Sequence, residues 1–352
     1  MLYRETGQYK SSYAADQAMF PILQDRIGLI LIMVVAFVGV PLVATPYAYT
    51  GILIPFLVLA LAAIGLNLLT GYCGQVSLGT GGFMAVGAYA AYNLVLRVPD
   101  INILLAIFMG GGIAALVGVL FGLPSLRIKG FYLAVATLAA QFFLDWLFIR
   151  IKWFTNDAPN ANAPELIIFG MNFRTPLERY LLVLAIVCFM ALLAKNLVRS
   201  RVGRAWMAVR DMDIAAEIIG IRLLHTKLLA FAVSSFYCGV AGALWAFVHL
   251  GAWEPLTFDV NRSFQVLFMV IIGGLGSILG AFLGAAFIFT MPILINQVPA
   301  AFGMPISTAL AAHLEAMIFG ALIIFFLIAE PHGFARLWQL GKEKLRLWPF
   351  PH

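Results

Sequence analysis

The stretch GRAWMAVRDMDIAAEIIGI, residues 203–221, holds Arg204, Arg210, Asp211, Asp213 and Glu217 between two long runs that are almost free of charge. Those flanks decide the fold. Near 179–195 and 226–250 the chain is apolar over about the ~20 residues that a helix needs to cross a bilayer. The island between them is therefore a segment kept outside the membrane by a protein that is otherwise inside it. Why such a protein keeps an amphipathic island is the question its function must answer.

Composition supports the flanks. The chain has 352 residues, of which 63% are hydrophobic and 11% charged, with a mean hydropathy of +0.98. A soluble domain carries roughly a quarter charged residues. The expected fold class is all-α: a polytopic integral membrane protein. A barrel would alternate apolar and polar residues in short segments, and this sequence does not. The formal charge of +6 need not imply nucleic acid, because Lys and Arg in membrane proteins record which loops stay in the cytoplasm. Cys73, Cys188 and Cys238 lie in or beside apolar segments without CxxC or Cys/His spacing, so neither disulfides nor a metal are expected. Residues 1–26 are polar and lead into an apolar run without a small-residue cleavage site, which reads as an uncleaved first span.

Apolar runs place helices near 27–45, 50–70, 76–96, 101–123, 131–149, 179–195 and 226–250, with others near 263–275, 277–295 and 312–329. Region 263–295 reads either as two spans parted by Gly273, Gly274, Gly276 and Ser277 or as one broken helix. Parity favours about ten passages. With a cytoplasmic N-terminus, 16 of the 22 basic residues then fall inside, and nine passages would put the basic tail outside against the positive-inside rule. The domain organisation follows: a cytoplasmic N-terminal segment 1–26, a transmembrane domain 27–329 with the island at 196–225, and a cytoplasmic tail 330–352. The longest outer loop, 150–178, contains TNDAPNANAP, whose Asn, Asp and Pro favour turns.

At 3.6 residues per turn, Ala205, Val209, Met212, Ala216 and Ile219 share one face of the island, and Arg210, Asp213 and Glu217 cluster on another. Gly220 supplies a helix stop. Such a helix can lie on lipid, pack under its own spans, or dock into a groove on another protein. Its charges are mixed where a lipid-binding helix is basic, and this suits a protein partner better.

GRAWMAVRDMDIAAEIIGI followed by TKLLAF is similar to the coupling segment of the LivM-type permeases, inner-membrane subunits of bacterial branched-chain amino acid ABC importers. Ala215, Ala216 and Gly220 match the Ala-Ala-x-x-x-Gly part of the wider importer motif, with Ile214 where that motif has Glu. GLNLLTGYCGQVSLGTGGFMAVGAY (65–89), LRIKGFYLAVATL (126–138) and SFQVLFMVIIGGLGSILGAFLGA (263–285) resemble further blocks of the family in the same order. Together they cover roughly residues 50–330, far more than a single motif.

The resemblance implies a transmembrane subunit that pairs with a LivH-type permease, two cytoplasmic LivG/LivF-type ATPase subunits and an external solute-binding protein. ATP and Mg2+ would act in those ATPases. No G-x-x-x-x-G-K-[ST] loop occurs here to cradle a nucleotide, so no enzymatic activity is expected of this chain. The coupling contacts would be Ala205, Val209, Met212, Ala215, Ala216 and Ile219, with Arg210, Asp213 and Glu217 at the rim and Gly220 as the turn.

The translocation path is expected along the glycine-rich stretch 71–87, where Asn67, Gln75, Ser77 and Thr80 would be costly against lipid. Gln141 and Asp145, one helical turn apart, are further candidates. Gly276, Gly280 and Gly284 form a G-x-x-x-G ladder that reads as helix packing. Thr80 stands where family members often have His, Gln141 where Glu is frequent, and WFTNDAPNANAP where a Gly-rich outer loop is common. These departures leave branched-chain amino acids as the first expected substrate, with urea, short amides, aromatic amino acids or small organic acids as alternatives. A stand-alone secondary transporter or channel would need a relay of intramembrane ionisable groups, and the spans offer little beyond Asp145. A membrane-embedded enzyme would need a convergent catalytic set, and neither HExxH nor GxSxG is present.

Overall fold

The structure, a computed structural model, describes residues 11–12, 23–125, 132–156, 161–168, 170–301, 308–329 and 333–347. Arg4, Lys10, Arg127, Lys129 and the middle of the TNDAPNANAP loop lie outside the described residues. The chain runs through α1 (Asp25–Val43), α2 (Pro46–Tyr72), α3 (Thr80–Arg97), α4 (Ile103–Ser125), α5 (Tyr132–Arg150) and α6 (Pro176–Arg199). Two short helices follow, α7 (Arg201–Asp211) and α8 (Asp213–Ile218). Then come α9 (Leu223–Leu250), α10 (Val260–Gly273), α11 (Ile278–Ala301), α12 (Thr308–Ala329) and α13 (Gly333–Leu347).

Eight segments among the described residues are long and apolar enough to cross a membrane: α1, α2, α4, α5, α6, α9, α11, and α10 with the turn before it. The protein is a polytopic α-helical membrane protein. Helix α3 is diluted by glycine, tyrosine and Asn93, yet it is buried along most of its length. A helix apolar all round belongs in the interior. That is the case for α2, in which every residue from Leu57 to Tyr72 is buried, making it the central post of the bundle.

Lipid offers helices no hydrophobic reason to associate, so close packing through small residues must do it. Helices α3, α4 and α9 meet at glycines. A Cβ on Gly110 would lie 2.6 Å from the Gly87 carbonyl, and one on Gly87 would overlap the backbone of Gly239. Outward faces are plainly apolar: Leu105, Met109, Leu116 and Leu120 on α4 are exposed, as are Val135, Phe142, Trp146 and Ile149 on α5.

Three features differ from the sequence expectation, and the two-span reading of region 263–295 is the one the structure has. The third helix begins at Thr80, not near 76, because Gly74–Gly79 form a non-helical link after α2. Region 263–295 is two helices joined by a turn at Gly274–Ser277, and the first of them starts at Val260. The island is not one helix: Met212 is extended, at φ −157° and ψ 95°, and divides α7 from α8. The tail is a helix folded back on the bundle, with Lys342 Nζ 2.7 Å from Asp25 Oδ1. At the opposite end, residues 161–162 of the long loop pair antiparallel with 252–253.

Candidate functional site

Two polar clusters organise the membrane interior, joined by the link between α2 and α3. The first sits at the start of α3. A helix N-terminus leaves its first N–H groups without partners, and inside a membrane each must be answered by protein. Here the Gly81 N–H donates to Ser263 Oγ at 2.7 Å, and the Gly82 N–H to Gln141 Oε1. Ser263 Oγ in turn donates to Gln141 Oε1 at 2.9 Å. Gln141 Nε2 donates to Asp145 Oδ1 at 2.9 Å and to the Phe258 carbonyl at 2.8 Å. Gln141 and Ser263 are fully buried.

At 1.5 Å per residue, Gln141 lies about 14 Å along α5, near its midpoint. Helix α10 also begins at this height, its N-terminus capped by Asp259, whose carboxylate accepts from Arg262 N at 3.1 Å. Two helix N-termini thus converge on Gln141, one facing each way along the bundle. The partial positive charge of such termini favours anionic groups, while the half-buried carboxylates of Asp145 and Asp259 bring negative charge to the same place.

The second cluster closes the other end of the link. Asn67 Nδ2 donates to the Ser277 carbonyl at 2.7 Å, and its Oδ1 accepts from Gly276 N at 2.9 Å. This single amide ties the last turns of α2 to the α10–α11 turn. A Cβ on Gly71 would overlap Asn67 Oδ1 and Gly276 N. Between the clusters, Thr70 Oγ1 donates to the Gln75 carbonyl at 3.1 Å, and Leu78 N to Thr137 Oγ1 at 2.9 Å. Ser77 and Thr80 are buried, and Gln75 is half-buried.

The six path residues read from the sequence therefore divide. Gln141, Asp145 and the Thr80 end of α3 form one cluster, Asn67 belongs to the other, and Gln75 and Ser77 lie in the link. Sequence reading missed Ser263, Asp259 and Arg262. Serine in the first turn of a span is too common to signal a role. Arg262 is tucked over the Trp245 ring, 4.4 Å from its centre. The glycine ladder divides as well. Gly280 and Gly284 face the backbone of Gly273 and Met269 on α10, whereas Gly276 sits in the turn at φ +76°.

The island packs by its first half. Gly203, Trp206 and Val209 are buried, and Trp206 Nε1 donates to the Thr226 carbonyl at 3.1 Å. Arg210 turns inward to the end of α2. Past the Met212 break the direction changes. Ala216 is buried, but Met212, Ile214, Ile218 and Ile219 stand 70%, 69%, 81% and 73% exposed. Gly220, at φ +92°, closes α8, with Ile221 N donating to the Ala216 carbonyl at 3.0 Å in the Schellman arrangement. Because the helical wheel restarts at Met212, Val209 and Ala216 face the bundle while Met212 and Ile219 face away. Asp213 is 3.9 Å from Lys227 Nζ, and Ala215 and Glu217 are exposed. Among the described residues, no group of three or more His, Cys, Asp or Glu side chains is placed to hold a metal.

The chain is thus a multi-span membrane bundle with a non-helical link between α2 and α3 and an apolar ridge projecting at one end. The model of the family described as the permease component of the branched-chain amino acid transport system matches residues 48–327, and the chain belongs to that family. It is 32% identical over 247 residues to the high-affinity branched-chain amino acid transport system permease protein LivM of Escherichia coli, covering 63% of this chain and 57% of that protein. A probable LivM from Methanocaldococcus jannaschii is 24% identical, with 69% of this chain and 72% of that protein covered. LivH of Salmonella typhimurium is also 24% identical, over 78% and 90% respectively. The chain thus spans a little over half the length of the Escherichia coli LivM that it matches.

Proposed function

We propose that this chain is a transmembrane subunit of an ATP-driven importer and forms half of a translocation path for branched-chain or related amino acids. The observation that carries this reading is the ridge of Met212, Ile214, Ile218 and Ile219, four large apolar side chains exposed on and beside the short helix that follows α7. Exposed apolar patches of this kind mark interaction surfaces. The partner is a cytoplasmic ATPase subunit that grips the ridge, and ATP with Mg2+ is consumed there. A LivH-type permease completes the path, and an external binding protein delivers the solute. The membrane is the bacterial inner membrane, with both termini in the cytoplasm.

The Gln141 cluster supports an amino acid as cargo. Converging helix N-termini suit a carboxylate, and the Asp145 and Asp259 carboxylates suit an ammonium group. The runner-up keeps the importer and changes the solute. A relative from Rhizobium meliloti is a fructose import permease, 28% identical over 191 residues.

Purification of the tagged chain in mild detergent, with mass spectrometry of what accompanies it, tests the proposal. Two ATPase subunits and a second permease are expected. A lone, monodisperse chain that moves solute without ATP would overturn it.

A further inference from the structure

Helix α7 ends with a partly exposed cation that reaches the end of α2. Arg210 Nη1 donates to the Gly71 carbonyl at 2.9 Å, while its Nε is held by Asp211 Oδ1 at 2.8 Å. Gly71 lies in the last turn of α2, where carbonyls have no partner further along the helix. A cation at that position also meets the partial negative charge of the helix end. Two glycines flank the side chain. A Cβ on Gly74 would come 3.0 Å from Arg210 Cγ, and one on Gly276 would come 3.4 Å from Nη1. Gly74 and Gly276 both adopt positive φ, at +72° and +76°. Three segments therefore meet on one side chain: the coupling segment, the end of α2 that leads into the link, and the α10–α11 turn that Asn67 ties to α2.

We propose that Arg210 is a positioning residue, a pin through which movement of the coupling segment reaches the link between α2 and α3. This rests on the reading of α7 and α8 as the ATPase-docking segment. The ridge lies beyond Met212 and faces outward, while Arg210 lies before it and reaches the end of α2. A pull on Ile214 and Ile218 is delivered through α7 to the Gly71 carbonyl, and from there to the link that begins three residues later. Withdrawal of the guanidinium uncaps α2 and frees the link to move. Cys73, fully buried immediately before that link, is a native reporter of whether it does.

The test uses the whole complex in lipid nanodiscs, treated with N-ethylmaleimide either without nucleotide or trapped with ATP and vanadate. Labelling of Cys73 is followed by peptide mass spectrometry. In the wild type it differs several-fold between the two states. Arg210→Lys keeps a cation on a long stem and retains the difference. Arg210→Met keeps length without charge and loses it, while the ATPase subunits still copurify. The pin is overturned if Arg210→Met behaves as the wild type, if Arg210→Lys is as defective as Arg210→Met, or if the wild type shows no difference. Loss of the ATPases from Arg210→Met also overturns it, since Arg210 would then be a docking contact. A wild-type chain that brings down no ATPase at all removes the importer reading itself, and the pin with it.

Discussion

Gln141 answers several buried groups at once: the Gly82 N–H, the Ser263 hydroxyl and the Phe258 carbonyl. Gln141→Leu leaves all three without that partner at the centre of the bundle, and a buried unsatisfied polar group costs about 1–3 kcal/mol. Ser263→Ala removes only the acceptor for Gly81 and one donor to Gln141. Thermal unfolding in detergent is expected to rank wild type above Ser263→Ala and Ser263→Ala above Gln141→Leu. The reverse order would mean that the helix start is held some other way. Gln141 was visible in the sequence because an amide in an apolar run stands out. Ser263 was not, since a serine costs little in a span and becomes meaningful only when α3 is known to start against it. Asp145 could be placed near Gln141 by helical spacing alone, but its companion Asp259 comes from a distant segment that no local pattern connects.

Among the elements, the island shows where periodicity fails. A helical wheel through residues 205–219 assumes one unbroken helix, and nothing in Asp211-Met212-Asp213 announces a break, as glycine or proline would. The break accompanies tertiary contacts: Trp206 is seated against α9 and Arg210 against the end of α2, so α7 is fixed in rotation before α8 begins. This changes which substitutions report on docking. Ala216→Asp would bury a carboxylate where only 2% of the residue is exposed, and it is expected to lower the unfolding temperature. Ile218→Asp, on a side chain 81% exposed, is expected to leave that temperature unchanged and abolish copurification of the ATPase subunits. Normal ATPase recovery with Ile218→Asp would remove the ridge from the interface. Gly220→Ala separates backbone from contact. Space around Gly220 is open, so the change should cost only the left-handed conformation, roughly 1–2 kcal/mol, read as faster proteolysis at 218–222 with the spans intact.

For the whole molecule, the apolar runs made the bundle legible, because a span announces itself by length and lack of charge. What they left open was how the ends are arranged, and one contact bears on that. Lys342 meets Asp25 at 2.7 Å, so α13 and the start of α1 lie at the same end of the bundle, and an even number of passages separates them. Arg210 on the end of α2 places the island at that end too. Of the basic residues described in the structure, Arg26, Lys195, Arg199, Arg201, Arg204, Arg210, Arg222, Lys227, Arg336, Lys342 and Lys344 gather there. Such a bias supports the proposal that this end faces the cytoplasm. A cysteine at Val98, exposed just past α3 at the opposite end, should then react with a membrane-impermeant maleimide in intact spheroplasts. A cysteine at Glu217, exposed on α8, should react only after permeabilisation. The native thiols interfere little, since Cys73 and Cys238 are buried and Cys188 is half-buried within α6. The opposite labelling pattern would put the ridge and Arg210 outside the cell, out of reach of any ATPase, and the importer reading would have to be abandoned.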